Sequence, residues 1–505
     1  MIPSALTERA LTEQALTELG RTAGGPDTLA ALARDQHARR LLLLRAVLDA
    51  VEAADPQVCP QALRERLRED WSLLEEADRA GGADTAVPGA EGAVRSSPAH
   101  ARILYPLVGP WARDCLRALG TGAASPTALR QRADTVRRGL AHFGALAAAS
   151  AARAGVSFSV RLTAGEDTLG LPSLGALRTP GSGEGAAGTV DVVHRGGRTT
   201  LRRPGHADVV VHEAGHPGTV RGVSAATYSR AGCWIPAYSL PGLLPGSAPV
   251  PLDDLDPYRM VNGGFRHQGL SGPATLDGAD RERWFHSWSG VLPVLRLGGE
   301  HRVAEVAALL RCLVPLVAPA ASGEHGRAPG SCSGTRREAF GAVLSSTPPT
   351  AATFAATLVH EVQHAKLAAL SDMVVLHREG PQERYFAPWR PDPRPYDGLL
   401  QGVYSHVALA DFFQRCALDP GARPGQRDAA WREHARYRAQ VGTTLPVIAR
   451  AGSLTPSGHR LVERLAEECE RMSEHPPPRG VRIGAEAAVN AARERWLASV
   501  RPPNG

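Results

Sequence analysis

TPPTAATFAATLVHEVQHAKLAALSDMVVL, residues 347–376, is the stretch on which the reading of this chain turns. After Pro349 it holds neither glycine nor proline, so nothing interrupts a helix for roughly seven turns at ~3.6 residues each. Thr347, Pro348, Pro349 and Thr350 supply the cap and first-turn signals that start one. Phe354, Leu358, Val359, Val362, Leu367 and Leu370 spread apolar surface all round, as a buried helix requires. Inside it stands His360-Glu361-Val362-Gln363-His364, the pattern H-E-x-x-H. On a helix, residues i and i+4 share a face, and both imidazoles can reach one ion at about 2.0–2.1 Å. Two imidazoles and a carboxylate are costly to bury unless they are paired or hold a metal. His360 and His364 are therefore expected to be metal ligands with Glu361 beside them. A hydrogen-bonded core histidine pair with a salt-bridged Glu361 is the plainer alternative.

His212-Glu213-Ala214-Gly215-His216 repeats the pattern in another setting. Three valines precede it, Gly215 interrupts it and Pro217 closes it, which favours a strand running into a turn. On a strand the two histidines lie roughly 13 Å apart at ~3.3 Å per residue and cannot share an ion. This copy reads as a strand end with two surface histidines.

The rest of the chain is ordinary globular material. Of its 505 residues 43% are hydrophobic and 21% charged, enough for two to four units by length. No apolar run reaches the ~18 residues that span a bilayer. The first residues carry acids and lack a basic or apolar targeting segment, so the expectation is a cytoplasmic protein with no membrane partner. Seven scattered cysteines, none spaced CxxC, argue against a disulfide framework and a cysteine zinc site. The net charge of +6 is small for this length and aromatics are 5%, which argues against a nucleic-acid partner. Lys366 is the one lysine; with the abundant Ala, Gly and Pro, this suggests the codon bias of a GC-rich genome.

The expected fold class is mainly α with a smaller antiparallel β region (α+β), the H-E-x-x-H helix being buried in a C-terminal helical portion. Residues 1–153 read as a helical region opening with a tripled ALTE. Residues 154–250 read as β-rich, with alternating runs bounded by Gly and Pro. Residues 251–334 read as a helical connection with a flexible end, and residues 335–505 as the helical portion carrying the motif. The stretches 79–98 and 317–334 have linker composition. Strands between 189 and 212 are candidates to offer an edge to a peptide.

Two histidines need further ligands, and YFAPWRPDPRPYDGLLQGVYSHVALADFFQR (385–415) is where to look. It reads as a Pro-rich loop followed by a helix. His406, in an apolar run, is either a third ligand or a satisfied core residue; Asp372, His377 and Asp411 compete with it. Arg390 and Arg394 offer planar forks suited to a carboxylate, whether of 2-oxoglutarate or of an acidic peptide tail. Alternatively they pair with Asp392 or Asp397. The motif is compatible with a zinc peptidase, in which Glu361 acts as base on a metal-bound water, and with a non-haem iron centre that keeps open positions.

HEVQHAKLAALSDMV (360–374) followed by YFAPWRPDPRPYDGLLQGVY (385–404) resembles the H-E-x-x-H proteins associated with ribosomally synthesised and post-translationally modified peptides, a family of 2-oxoglutarate-dependent peptide β-hydroxylases. The likeness extends to LLLLRAVLDA (41–50), YPLVGPWARDCLRAL (105–119), LDDLDPYR (252–259) and EAFGAVLSSTPP (338–349), and so covers most of the chain. It implies Fe(II), 2-oxoglutarate and O₂, and hydroxylation of the β-carbon of a residue in a precursor peptide. Carried onto this sequence, it makes His360 and His364 iron ligands, His406 the expected third, and Glu361 a group that orients a ligand or the substrate. The alternatives are a zinc metallopeptidase acting on a peptide and a peptide-binding scaffold with a structural metal.

Overall fold

A computed structural model describes residues 12–83, 97–120, 125–165, 167–179, 188–214, 219–220, 222–260, 270–319, 332–382, 384–450 and 452–500. The chain is mainly helical with three sheets among the described residues, a mixed α+β protein. No described helix is long and apolar enough to cross a membrane. Most of the two linker-like stretches, the first ALTE copy and half of the second lie outside the described residues.

The helix expected over the motif runs from Ala351 to Met373, and Thr350 accepts the amide of Thr353 as its cap. Phe354, Leu358, Val359, Val362, Leu367 and Leu370 are all at most 2% exposed. Phe354 sits edge-on to Trp284 and tilted against Trp288, each 5.4 Å away. These rings come from the helix Gly278–Ser289, which with Val291–Leu297, Glu300–Leu309 and Tyr396–Leu418 packs round the motif helix.

The other wall of this core is a sheet with strand order Ser333–Gly334, Ala342–Ser346, Cys312–Leu316, Val250–Leu252, Tyr238–Leu240, Val223–Ala225, Thr219–Val220. Side chains alternate across it. Leu313 and Val343 face the core that contains the motif helix, while Cys312, Val314, Leu316, Ala342 and Leu344 face a second core built by the N-terminal helices. The sheet thus separates two hydrophobic compartments.

Its central pairs depart from the antiparallel expectation: Cys312–Leu316 is parallel to both Ala342–Ser346 and Val250–Leu252. Parallel neighbours need a crossover, and the helices between residues 278 and 309 supply the one from Val250–Leu252 to Cys312–Leu316. The sheet also draws strands from both sides of residues 250 and 334, where composition suggested divisions. Cys312–Leu316 is buried at every position, so it shows no alternation, the usual mark of a doubly covered strand.

The remaining two sheets are antiparallel and pack on the alanine-rich face of the helix Pro126–Arg153. Ala145, Ala148, Ala149 and Ala152 share a core with Leu162, Val190, Val192, Leu201 and Val211. The strands Thr189–Arg195, Arg198–Arg202 and Val209–Glu213 lie inside the five-stranded sheet with a neighbour on each side. The edge expected between 189 and 212 is therefore already occupied. His212 stands on a strand, as its valines indicate, and stacks on Tyr228 at 5.1 Å; His216 lies outside the described residues.

Candidate metal centre

Helical geometry sets His360 and His364 one turn apart, with ring centroids separated by 4.5 Å and planes at 84°. One ligand atom each from His360, Glu361 and His364 falls within 4.8 Å of the others. His360 Nδ1 lies 3.0 Å from Glu361 Oε1, and His364 Nδ1 lies 3.2 Å from Gln401 Oε1. A carboxylate oxygen and an amide oxygen are acceptors, so each Nδ1 carries the hydrogen and donates it. In the neutral ring this bond leaves the lone pair on Nε2, the state a metal ligand requires.

Glu361 is 1% exposed. Ser333 donates to its Oε1 at 2.8 Å, while Oε2 has no hydrogen-bond partner among the described residues. Burial works to raise its pKa, but the adjoining His360, the hydrogen bond from that ring, His364 and Ser333 together hold it below the ordinary value. Burial, reinforced by the neighbouring His360, pushes His364 down to about 4, so its ring is neutral near pH 7. A small cavity reaches His364 and is lined also by Gln36, Thr335, Phe340 and Ala368.

The other residues singled out in the sequence are arranged as follows. His406 is 6% exposed, on the facing helix Tyr396–Leu418, with its ring centroid 5.9 Å from that of His360. It is packed edge-on to Trp389 at 4.6 Å and against Tyr437 at 4.9 Å, and is not among the three residues whose ligand atoms converge. Gly402 permits this: a Cβ there would stand 2.2 Å from the Trp389 ring. Arg390 and Arg394 both turn onto Asp392, at 2.9 and 3.3 Å. Asp372 is held by Gln36 and Arg337, His377 lies 3.8 Å from Asp397, and Asp411 is surrounded by Arg302, Arg415 and Arg471. Gln401 and Ser333, which hold the cluster in place, carry no local signal of that role. Packing of remote segments selects them.

Behind the histidines the same helix is anchored by a buried polar cluster. Lys366, with no exposed side-chain surface, donates to Glu305 Oε1 at 2.7 Å, to Gln363 Oε1 at 3.0 Å and to the Thr22 carbonyl at 3.0 Å. Arg302 donates to Glu305 Oε2 at 3.0 Å and to the same Thr22 carbonyl at 2.6 Å. Burial draws the Lys366 ammonium down to about 8 against the pull of Glu305.

No protein-family model matches the chain, and no curated protein matches it.

Proposed function

We propose that this protein is an Fe(II)- and 2-oxoglutarate-dependent oxygenase that hydroxylates the β-carbon of a residue in a ribosomally made precursor peptide in the cytoplasm. The observation that carries the metal is the pair of imidazoles on adjacent turns, each with Nδ1 engaged by an acceptor and Nε2 left as a donor. That donor set fits a divalent first-row metal. When bound, Fe(II) with 2-oxoglutarate and O₂ would supply the oxidising chemistry; the chain supplies position and shelter. In this reading His360 and His364 hold the metal and His406 is the third donor. Arg390 and Arg394 take the distal carboxylate of 2-oxoglutarate in place of Asp392. Glu361 orients His360 through Nδ1, and its burial and engagement by Ser333 favour that role over proton transfer to and from water.

The second reading, a zinc peptidase with Glu361 as general base, rests on the unpartnered Glu361 Oε2. Coexpression with candidate precursor peptides, followed by mass spectrometry, separates the two. A gain of one oxygen that needs Fe(II), 2-oxoglutarate and O₂ is the expected result. Cleavage with zinc under nitrogen establishes the peptidase instead.

Two substitutions test the roles within the cluster. Glu361→Gln is expected to weaken metal binding about 10- to 100-fold, the usual effect of losing an orienting partner. His406→Ala is expected to weaken it further still if it removes a donor. Unchanged affinity in His406→Ala, with a lowered melting temperature, would make His406 a packing residue. Competition with a chromophoric chelator measures both.

A further inference from the structure

A second concavity shares no lining residue with the cavity beside His364. It lies where the helices Pro98–Ile103 and Pro126–Arg153, the strand Thr168–Leu171 and the loop after Val250–Leu252 meet. His142 and Tyr105 in its wall come from the N-terminal helical portion, and none of the three converging residues of the metal centre lines it.

The loop is the LDDLDPYR stretch, and two of its three acids are occupied by the fold. Asp253 accepts the Tyr105 hydroxyl at 2.7 Å and the amides of Leu255 and Asp256. Asp254 accepts the Leu276 amide and pairs with Arg281 at 3.4 Å. Asp256 is different. Its Oδ1 accepts the Tyr258 amide at 2.7 Å, while Oδ2 lies 4.0 Å from His142 Nε2, too far for a hydrogen bond.

The His142 and Asp256 side chains are only 10% and 7% exposed, and both line the cavity. His142 makes no hydrogen bond among the described residues; its ring contact is edge-on to Tyr258 at 4.9 Å. Both groups therefore border the cleft with hydrogen-bonding capacity that a ligand can use. Burial, and then the nearby Asp253, push the Asp256 carboxyl up to about 7.

Two further features mark the kind of ligand. Arg102 lies over the Tyr105 ring at 4.2 Å and makes no ion pair among the described residues, so its fork remains available to a carboxylate. Thr168–Leu171 is an end strand of its three-stranded sheet, and a Cβ on Gly170 would meet open space. An unpaired strand edge beside a cleft suits an extended chain better than a compact small molecule.

We propose that this cleft is a second binding site, and that it takes an extended peptide segment bearing an acidic side chain. The carboxylate lies against Arg102, and a backbone N–H or other donor of the segment fills the gap between His142 and Asp256. The choice of a peptide as occupant rests on the peptide-modifying reading above. In that reading, the cleft holds a part of the substrate remote from the residue that is changed.

The test uses the full chain without added metal and the fluorescein-labelled peptide Gly-Ala-Val-Glu-Ala-Val-Gly beside its Glu→Gln counterpart, followed by fluorescence anisotropy. The acidic peptide is expected to bind about tenfold more tightly, corresponding to one charge-assisted contact of roughly 1.4 kcal/mol. Arg102→Gln should erase that preference, and His142→Ala should weaken both peptides. A benzoylphenylalanine in place of one valine should crosslink within residues 168–175 or 251–257. Equal binding of the two peptides, no saturation, a preference that survives Arg102→Gln, or crosslinks confined to other segments overturns the proposal. If Arg102→Gln melts below the parent, the wild-type Glu/Gln comparison and the crosslink map decide the matter. His364→Ala should bind both peptides as the parent does, so this site and the metal centre can fail independently.

Discussion

His364→Ala is expected to lower bound metal from about one equivalent to near zero, because one of two helix-borne ligands is lost from a site that needs at least three. Metal analysis after anaerobic loading with Fe(II) measures it. The hydroxylation proposed above should disappear with the metal, and His360→Ala should behave alike. The fold should survive, since both side chains are only half-buried and His364 borders a cavity instead of filling the core. Truncation there costs little packing, roughly 1 kcal/mol for an ordinary substitution. That combination distinguishes a reactive centre from a structural metal, for which the same substitution would unfold the protein. Loss of folding in both variants, or full metal content in either, would sink the assignment.

Lys366→Met is expected to be the most damaging change for stability. It leaves Glu305 Oε1, Gln363 Oε1 and the Thr22 carbonyl without the ammonium that serves all three. Removing one partner of a buried charge pair typically costs 3–5 kcal/mol, and Arg302 offsets part of this by still reaching Glu305 Oε2. A fall of several degrees in melting temperature follows. Lys366→Arg is expected to fail too. The position has no exposed surface, and its three acceptors surround a compact ammonium, whereas guanidinium is a planar fork. In a chain whose other basic residues are arginine, this is a physical reason for one lysine to stand here. Thermal melts of both variants, read by circular dichroism, check the expectation. An unchanged melting temperature in Lys366→Met would show that the cluster contributes no net stability.

The helix Ala351–Met373 and the sharing of one face by His360 and His364 were legible in the sequence because both follow from local spacing. The failure of His212 and Glu213 to repeat that geometry was legible for the same reason: three valines place them on a strand. The parallel strand Cys312–Leu316 was hidden, since burial on both faces removes the alternation that marks a strand. Arg390 and Arg394 could be seen to suit a carboxylate, with Asp392 and Asp397 as candidates beside a ligand, but not that both would turn onto Asp392. The cleft beside LDDLDPYR was invisible as well, because His142 and Arg102 come from segments more than a hundred residues away.

What the sequence determined unaided was therefore periodic and short-range: a buried helix, a histidine pair on one side of it, and a helical chain with a β minority. Only the tertiary structure decided which oxygen holds each imidazole, where the forks of the arginines turn, and how each acid of the DDLD loop is engaged. Helical spacing is a property of neighbouring residues, whereas a hydrogen-bond partner is chosen by whichever distant segment the packing of the core brings within about 3 Å.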